Sequence, residues 1–279
     1  MTAAPPRAEK KSNFFLGFLL LPKPKREALS AVYAYCRLID DIVDEGLSKD
    51  EARQQLAFWR DEIERLYNGV PEHPIARDLL KPIADYKIPK EPFLEMIRGC
   101  AMDLDGTRYE TIEDLESYMR GVASSVGIMC VHIFGWTYTS RENMYEFAKT
   151  FGYAFQLTNI IRDVGADLEI GRVYLPLAEI RESGYSVDRL VLRDHGPAFD
   201  RLMEGQYKRA KTYYARARNM VDFRDRPGLL PAEVMAHVYE GLLDEIKARE
   251  FRVLFDKTTL PAWRKAAFAF RAWLYCHGL

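Results

Sequence analysis

Asp40, Asp41 and Asp44 stand in the run Leu38-Ile39-Asp40-Asp41-Ile42-Val43-Asp44, and Asn159, Asp163 and Asp167 in the run Asn159-Ile160-Ile161-Arg162-Asp163-Val164-Gly165-Ala166-Asp167. In both, oxygen-bearing side chains recur at helical spacing inside apolar sequence. Carboxylates one turn apart repel even on an exposed helix, and an unpaired buried charge costs several kcal/mol. Something cationic must compensate them. Asp and Asn oxygens suit Mg²⁺, which takes one or two carboxylates and completes its shell with water and ligand phosphates. Arg37, Arg162 and Arg172 lie beside the clusters. A guanidinium there is either an ion-pair partner for the acids or a forked donor to a diphosphate. The two runs together predict divalent metal held for a phosphate-bearing ligand.

Helices must position these groups, and a helical wheel shows how. Tyr33, Arg37, Asp40 and Asp44 fall on one narrow stripe, with Asp41 beside it. The rest of the circumference is Ala31, Val32, Tyr35, Cys36, Leu38, Ile39, Ile42 and Val43. A helix apolar nearly all round is buried among others, so the acid stripe is expected to face an internal cavity. In the second run Gly152, Gln156, Asn159 and Asp163 share a face, and Asp167 sits at its margin, at or just past the helix end. Phe151, Leu157, Ile160, Ile161 and Val164 cover the remainder. An Asp pair on one helix is commonly solvated surface; two such clusters on helices with almost no other polar face favour a metal site.

The chain around them is 279 residues, 48% hydrophobic, which is ample for one large core. The sequence predicts a single domain over 12–279 behind a mobile tail over 1–11. Forty basic against 41 acidic side chains, net −1, argue against a nucleic-acid partner. Cys36, Cys100, Cys130 and Cys276 form no C-x-x-C pair, and no signal peptide precedes them, so reduced thiols in a cytoplasmic protein are expected. The apolar run Phe14 to Leu21 is eight residues, far short of the ~20 that span a bilayer. The last helix, around 263–273, mixes aromatic and basic residues as interfacial segments do, though core packing is the favoured reading.

Helix starts are signalled by Pro22 and Pro24, by Ser48 with Glu51 as a capping box, by Thr111 and by Ser140. Ends or turns fall near Gly46, Gly69, Gly106, Gly135, Gly184 and Pro227-Gly228. Apolar residues recur at three and four between these points, with no convincing period-two stretch and no internal repeat. The chain is predicted to be all-α.

Three stretches together are specific enough to identify a likeness. Leu29-Ser30-Ala31-Val32-Tyr33-Ala34-Tyr35-Cys36-Arg37-Leu38-Ile39-Asp40-Asp41-Ile42-Val43-Asp44-Glu45 resembles the first aspartate-rich motif of the squalene and phytoene synthase family. Gln156-Leu157-Thr158-Asn159-Ile160-Ile161-Arg162-Asp163-Val164-Gly165-Ala166-Asp167, followed by Gly171-Arg172-Val173-Tyr174-Leu175-Pro176, resembles the second. Tyr118-Met119-Arg120-Gly121-Val122-Ala123-Ser124-Ser125-Val126-Gly127 resembles the tyrosine-bearing central helix, and the likeness runs from about Ser12 to beyond Tyr239.

The resemblance implies the class I isoprenoid synthase fold, a helical bundle around a deep central cavity, and head-to-head (1′-1) coupling of two prenyl diphosphates. It implies that Asp40, Asp41, Asp44, Asn159, Asp163 and Asp167 hold two or three Mg²⁺ that bridge to diphosphate. Arg37, Arg162, Arg172 and Tyr174 would neutralise or hydrogen-bond the leaving group. Tyr118 and Tyr239 match tyrosines near the reacting carbons. Tyr33, Val122, Gln156 and Asn159 join the substrate-binding set, and Ser12 or Asn13 would stand in for serines that contact diphosphate in relatives. The hydrocarbon tails need a dry wall, for which Phe14, Phe18, Val122, Ala123, Val126, Met129 and Phe155 are candidates. Gly121, Ala123, Ser124, Ser125 and Gly127 either leave room beside Tyr118 or permit close helix packing.

Within the family, Val122-Ala123-Ser124, Ile133-Phe134-Gly135 and the short chain resemble bacterial presqualene diphosphate synthases of squalene and hopanoid pathways. The expected substrate is farnesyl diphosphate, without NADPH, in the cytoplasm or at the inner membrane face through a peripheral contact, with downstream squalene-pathway enzymes as partners. Phytoene, dehydrosqualene or full NADPH-dependent squalene synthesis is the alternative product reading. Outside the family, an all-α Mg-dependent nucleotide pyrophosphohydrolase would also pair acidic helices, though with Glu-rich E-x-x-E spacing, and a catalytically silent helical adaptor is the remaining reading.

Overall fold

A computed structural model describes residues 21–44 and 46–279. Ser12, Asn13, Phe14, Phe18 and the tail 1–11 lie outside the described residues. Among the described residues there are helices and connecting loops but no strand, as the three-four periodicity predicts. The helices are α1 (Lys23–Asp44), α2 (Lys49–Tyr67), α3 (Pro74–Tyr86), α4 (Glu91–Asp105), α5 (Ile112–Met119), α6 (Ser125–Phe134), α7 (Arg141–Glu169), α8 (Leu177–Glu182), α9 (Val187–Val191), α10 (Pro197–Arg218), α11 (Leu230–Ala248) and α12 (Ala262–His277). A π turn, Arg120–Ser124, joins α5 to α6, and a 3₁₀ turn over Phe223–Leu229 absorbs Pro227-Gly228 and leads directly into α11.

The punctuation works as its chemistry predicts. The Ser48 hydroxyl accepts from the Glu51 N–H while Glu51 accepts from the Ser48 N–H, and Thr111 and Asp114 repeat the arrangement. Ser140 caps α7 by accepting from the Asn143 N–H. Gly106 ends α4 at φ 65°, a left-handed conformation that costs glycine nothing.

Helix α7 is the axle of the bundle. Its 29 residues pack against α5, the π turn, α6, α10 and α11, which explains why it is apolar on nearly every face. Helix α1 packs against α2, α3, α4 and α6. Close approach of these helices depends on missing side chains: a Cβ on Gly121 would lie 2.6 Å from the Gly99 Cα, and one on Gly152 2.5 Å from the Ser124 Cα. The buried Ser124 and Ser125 hydroxyls are spent on backbone carbonyls of Lys149 and Gly121. Close packing is therefore the role of Gly121, Ser124 and Ser125; Ala123 faces the cavity, and Gly127 both faces it and permits close packing, since an added Cβ would lie 2.8 Å from the Ala148 carbonyl oxygen.

Candidate active site

Helices α1, α6, α7 and α11 and the π turn enclose a cavity of about 450 Å³, with Met96 of α4 at one side. Its polar lining is Tyr33, Arg37 and Asp40 from the first predicted stripe, Gln156 and Asn159 from the second, and Arg162 beside that stripe. Its wall is apolar, including the expected Val122, Ala123, Val126 and Phe155. Met129 is instead fully buried in helix packing and does not line the cavity. Phe134 of the Ile133-Phe134-Gly135 stretch lines it, as do Phe147, Pro231 and Met235, which motif reading did not single out. The π turn backs this arrangement: the Ser125 N–H reaches the Arg120 carbonyl, an i to i+5 step often found beside functional sites.

The first acid stripe is graded along α1. Asp40 lines the cavity, Asp41 forms an ion pair with Arg37 (Nη2 to Oδ1 2.6 Å), and the half-exposed Asp44 at the last residue of the helix accepts from Arg172 at 2.9 Å. The expectation that the whole stripe faces inward holds for Tyr33, Arg37 and Asp40 and fails for Asp44, because α1 ends there and delivers it outside the enclosed volume. On α7, Gly152, Gln156 and Asn159 line the cavity. Asp163, one turn further, is gripped by Arg162 through paired hydrogen bonds and by Lys257 at 3.1 Å. Asp167 lies beyond it beside Arg172 and Tyr174.

Burial and mutual repulsion act on these acids. Burial, then the charge of Asp44, pushes the Asp40 carboxyl up to about 6, although the Cys100 thiol at 3.6 Å and Arg37 counteract them. Burial, then Asp163, pushes Asp167 up to about 7 against Arg172 and Arg162. Burial also works on Asp163, but the hydrogen bonds and charge of Arg162, with Lys257, more than offset it and hold that carboxyl low. The acids are thus only partly compensated by the protein.

A divalent cation fits this set. The Asn159 Oδ1 is buried without a hydrogen-bond partner among the described residues, and it stands on the cavity wall with Asp40. An uncharged acceptor left unsatisfied in that position is costly unless a ligand meets it. No three His, Cys, Asp or Glu side chains among the described residues cluster tightly enough to cage an ion alone.

Tyr118 and Tyr174 meet at a residue the motifs did not mark. Both hydroxyls donate to Asp103 near the end of α4, at 3.0 and 2.8 Å, and their rings stack with centroids 5.1 Å apart. Burial, then the Asp103 charge, pushes both phenols up, so they remain protonated donors. Burial likewise raises Asp103, with Tyr174, Arg172 and Tyr118 opposing it. Tyr118 does not line the cavity, whereas Tyr239 does, packing edge-on against Phe155 at 5.3 Å. A signal for Asp103 existed in the sequence: Phe93, Met96 and Cys100 form the buried stripe of α4, and Asp103 occupies its next position. Lys257 lies in the loop before α12 and carried no comparable pattern.

An apolar cavity capped by acids, amides and guanidiniums inside an all-α bundle is the arrangement of the helical isoprenoid synthases. A crystal structure of a dehydrosqualene synthase in complex with ligand superposes with a TM-score of 0.85 at 30% identity, covering 97% of this chain and 94% of that one. Residues 7–265 match the squalene/phytoene synthase family. The chain belongs to that family of prenyltransferases. It is 34% identical over 270 residues to the 15-cis-phytoene synthase of Synechococcus elongatus, covering 92% of this chain and 87% of the relative. It is 36% identical over 247 residues to the presqualene diphosphate synthase of Zymomonas mobilis, covering 87% and 82%.

Proposed function

We propose that the protein couples two farnesyl diphosphates head to head (1′-1) to presqualene diphosphate, releasing one diphosphate. The observation that carries this reading is the cavity itself, with a buried orphan Asn159 oxygen, Asp40 and two arginines at one end and an apolar wall behind them. Arg37 and Arg162 stand where a diphosphate headgroup would enter, and Arg172 is drawn to the same mouth by Asp44. When the allylic carbon–oxygen bond breaks, its electron pair leaves with the diphosphate, and guanidiniums fixed beforehand stabilise the charge that develops there. Mg²⁺ bound by Asp40, Asp41, Asp44, Asn159, Asp163 and Asp167 would supply further positive charge to that leaving group. Val122, Ala123, Val126 and Phe155 offer the carbocation no nucleophile and keep water away. The Tyr239 ring lines the cavity wall, where its π system would steady a cation, and Tyr118 acts from outside the wall through the Asp103 network.

Ser124, one of the residues that distinguished the presqualene reading, is buried with its hydroxyl on the Lys149 carbonyl rather than in the cavity. Support for that product therefore comes from the Zymomonas mobilis relative and from Ile133-Phe134-Gly135, where Phe134 lines the cavity. The phytoene synthases among the relatives favour a second reading, coupling of two geranylgeranyl diphosphates to phytoene. Incubation with Mg²⁺ and both substrates in competition, without NADPH, separates them. Presqualene diphosphate as the main product supports the proposal; phytoene from geranylgeranyl diphosphate alone overturns it.

A further inference from the structure

Helix α12 has two unlike faces. The inner face is fixed to α11: Ala272 and Cys276 are buried, and the Phe268 ring lies so close to Gly241 that an added Cβ would sit 2.3 Å from it. Tyr275 is held between the Arg226 and Arg218 guanidiniums, 4.6 and 5.6 Å from its ring centre. The outer face carries Trp263, Phe270 and Trp273, exposed by 71%, 60% and 40%. At i, i+7 and i+10 they share one side of the helix. Phe270 and Trp273 stack at 6.1 Å, and Trp273 stacks on His277 at 4.6 Å. Large aromatics grouped on one exposed face mark a contact surface rather than scattered exposure.

The charges around this face point to its occupant. Residues 257–279 contain Lys257, Arg264, Lys265 and Arg271 and no aspartate or glutamate; Lys257 is paired with Asp163 and Arg264 with Glu245, whereas Lys265 and Arg271 make no ion pair among the described residues. A second copy presenting the same face would set basic residues against basic residues. A bilayer with anionic headgroups accepts both features, because tryptophans settle at the headgroup level and lysines and arginines meet the negative surface. No described helix is long and apolar enough to cross a membrane.

We propose that the outer face of α12 docks the protein on an anionic lipid surface. The placement is useful to the site without being part of it. Helix α11 carries α12 on one side and lines the cavity with Pro231, Ala232, Met235 and Tyr239 on another, and Lys257 in the preceding loop reaches Asp163 at the cavity mouth. A docked enzyme thus holds its cavity close to the phase into which the hydrocarbon tails of a product partition. The inference stands whichever prenyl diphosphates the site takes.

Vesicle sedimentation of the full chain tests it. Vesicles of phosphatidylcholine with phosphatidylglycerol should carry the protein down, phosphatidylcholine alone should not, and added salt should release it. Tryptophan emission should shift to the blue on binding. The Trp263→Ser/Phe270→Ser and Lys265→Gln/Arg271→Gln double variants should each weaken vesicle binding about ten-fold, equivalent to ~1.4 kcal/mol, with unchanged turnover of dispersed substrate and unchanged helical circular dichroism. Absence of binding to anionic vesicles overturns the proposal, as does wild-type binding by both variants. A dimer that dissociates on the Trp263→Ser/Phe270→Ser change would assign the face to a second copy and likewise overturn it.

Discussion

Asp103→Ala removes the carboxylate that the buried hydroxyls of Tyr118 and Tyr174 share. A hydrogen bond to a charged partner is worth roughly 1.5–3 kcal/mol net, so the two bonds represent about 3–6 kcal/mol. Part of that is returned, because burial disfavours the Asp103 charge and alanine has none to bury. The net loss in stability should be modest, about 1–3 kcal/mol, and the larger effect should be on turnover. With its acceptor gone, Tyr174 loses its tether beside Arg172, and a displacement near 1 Å costs on the order of 10²-fold in rate. Asp103→Asn keeps an acceptor oxygen without the charge and should fall between wild type and alanine. The decisive assay is a double-mutant cycle of Asp103→Ala with Tyr174→Phe, read both as chemical unfolding and as diphosphate release from farnesyl diphosphate. The two changes remove the same bond, so their effects should overlap by about 1–2 kcal/mol. Additivity within roughly 0.3–0.5 kcal/mol, the range for independent sites, would show that Asp103 and Tyr174 do not act through their shared bond. A purely structural role would lower the melting temperature of both variants and leave kcat of the folded fraction unchanged.

Asp40 and Asp167 should behave oppositely to ordinary core residues. Their carboxyls are raised to about 6 and about 7, so the folded metal-free protein retains protons that the unfolded chain has released above about pH 4, and stability falls as pH rises through that window. Asp167→Asn should therefore raise the metal-free melting temperature at neutral pH by about 2–4 °C while abolishing turnover; a lowered melting temperature contradicts this. Asp225 works the other way: burial raises its carboxyl, but the Thr139 hydroxyl and the backbone N–H groups of Thr137, Tyr138 and Thr139 more than offset it and hold it low. Its contribution is present at neutral pH and lost as pH falls through its folded value, so Asp225→Ala should cost about 2–4 kcal/mol in urea unfolding at pH 7 and progressively less as the pH is taken below the ordinary carboxylate range. Phe134→Ala removes a ring from the cavity wall and should shift product toward the longer prenyl substrate in a farnesyl–geranylgeranyl competition; an unchanged product ratio shows that Phe134 does not limit tail length.

Helix content, caps and the polar stripes were legible because they are local. Ser48 with Glu51, Thr111 and Ser140 act within one helical turn, and a wheel needs only spacing to place Tyr33, Arg37 and Asp40 on one side and Gln156 with Asn159 on another. The aromatic–basic character of the last helix was legible too, although its favoured core reading accounts only for the inner face that meets α11.

The all-α class, the family, and the side-chain chemistry that can meet a diphosphate follow from residue order alone, because periodicity, capping and motif order are written within single helices. Tertiary structure alone decided that Asp44 leaves the cavity, that Asp103 gathers Tyr118 and Tyr174, that Lys257 reaches Asp163, and that Ser124 serves packing. Each of these depends on distance between helices remote in the chain. Burial, like-charge repulsion and hydrogen-bond partnership arise only when those helices meet, so no reading of spacing within one of them could supply it.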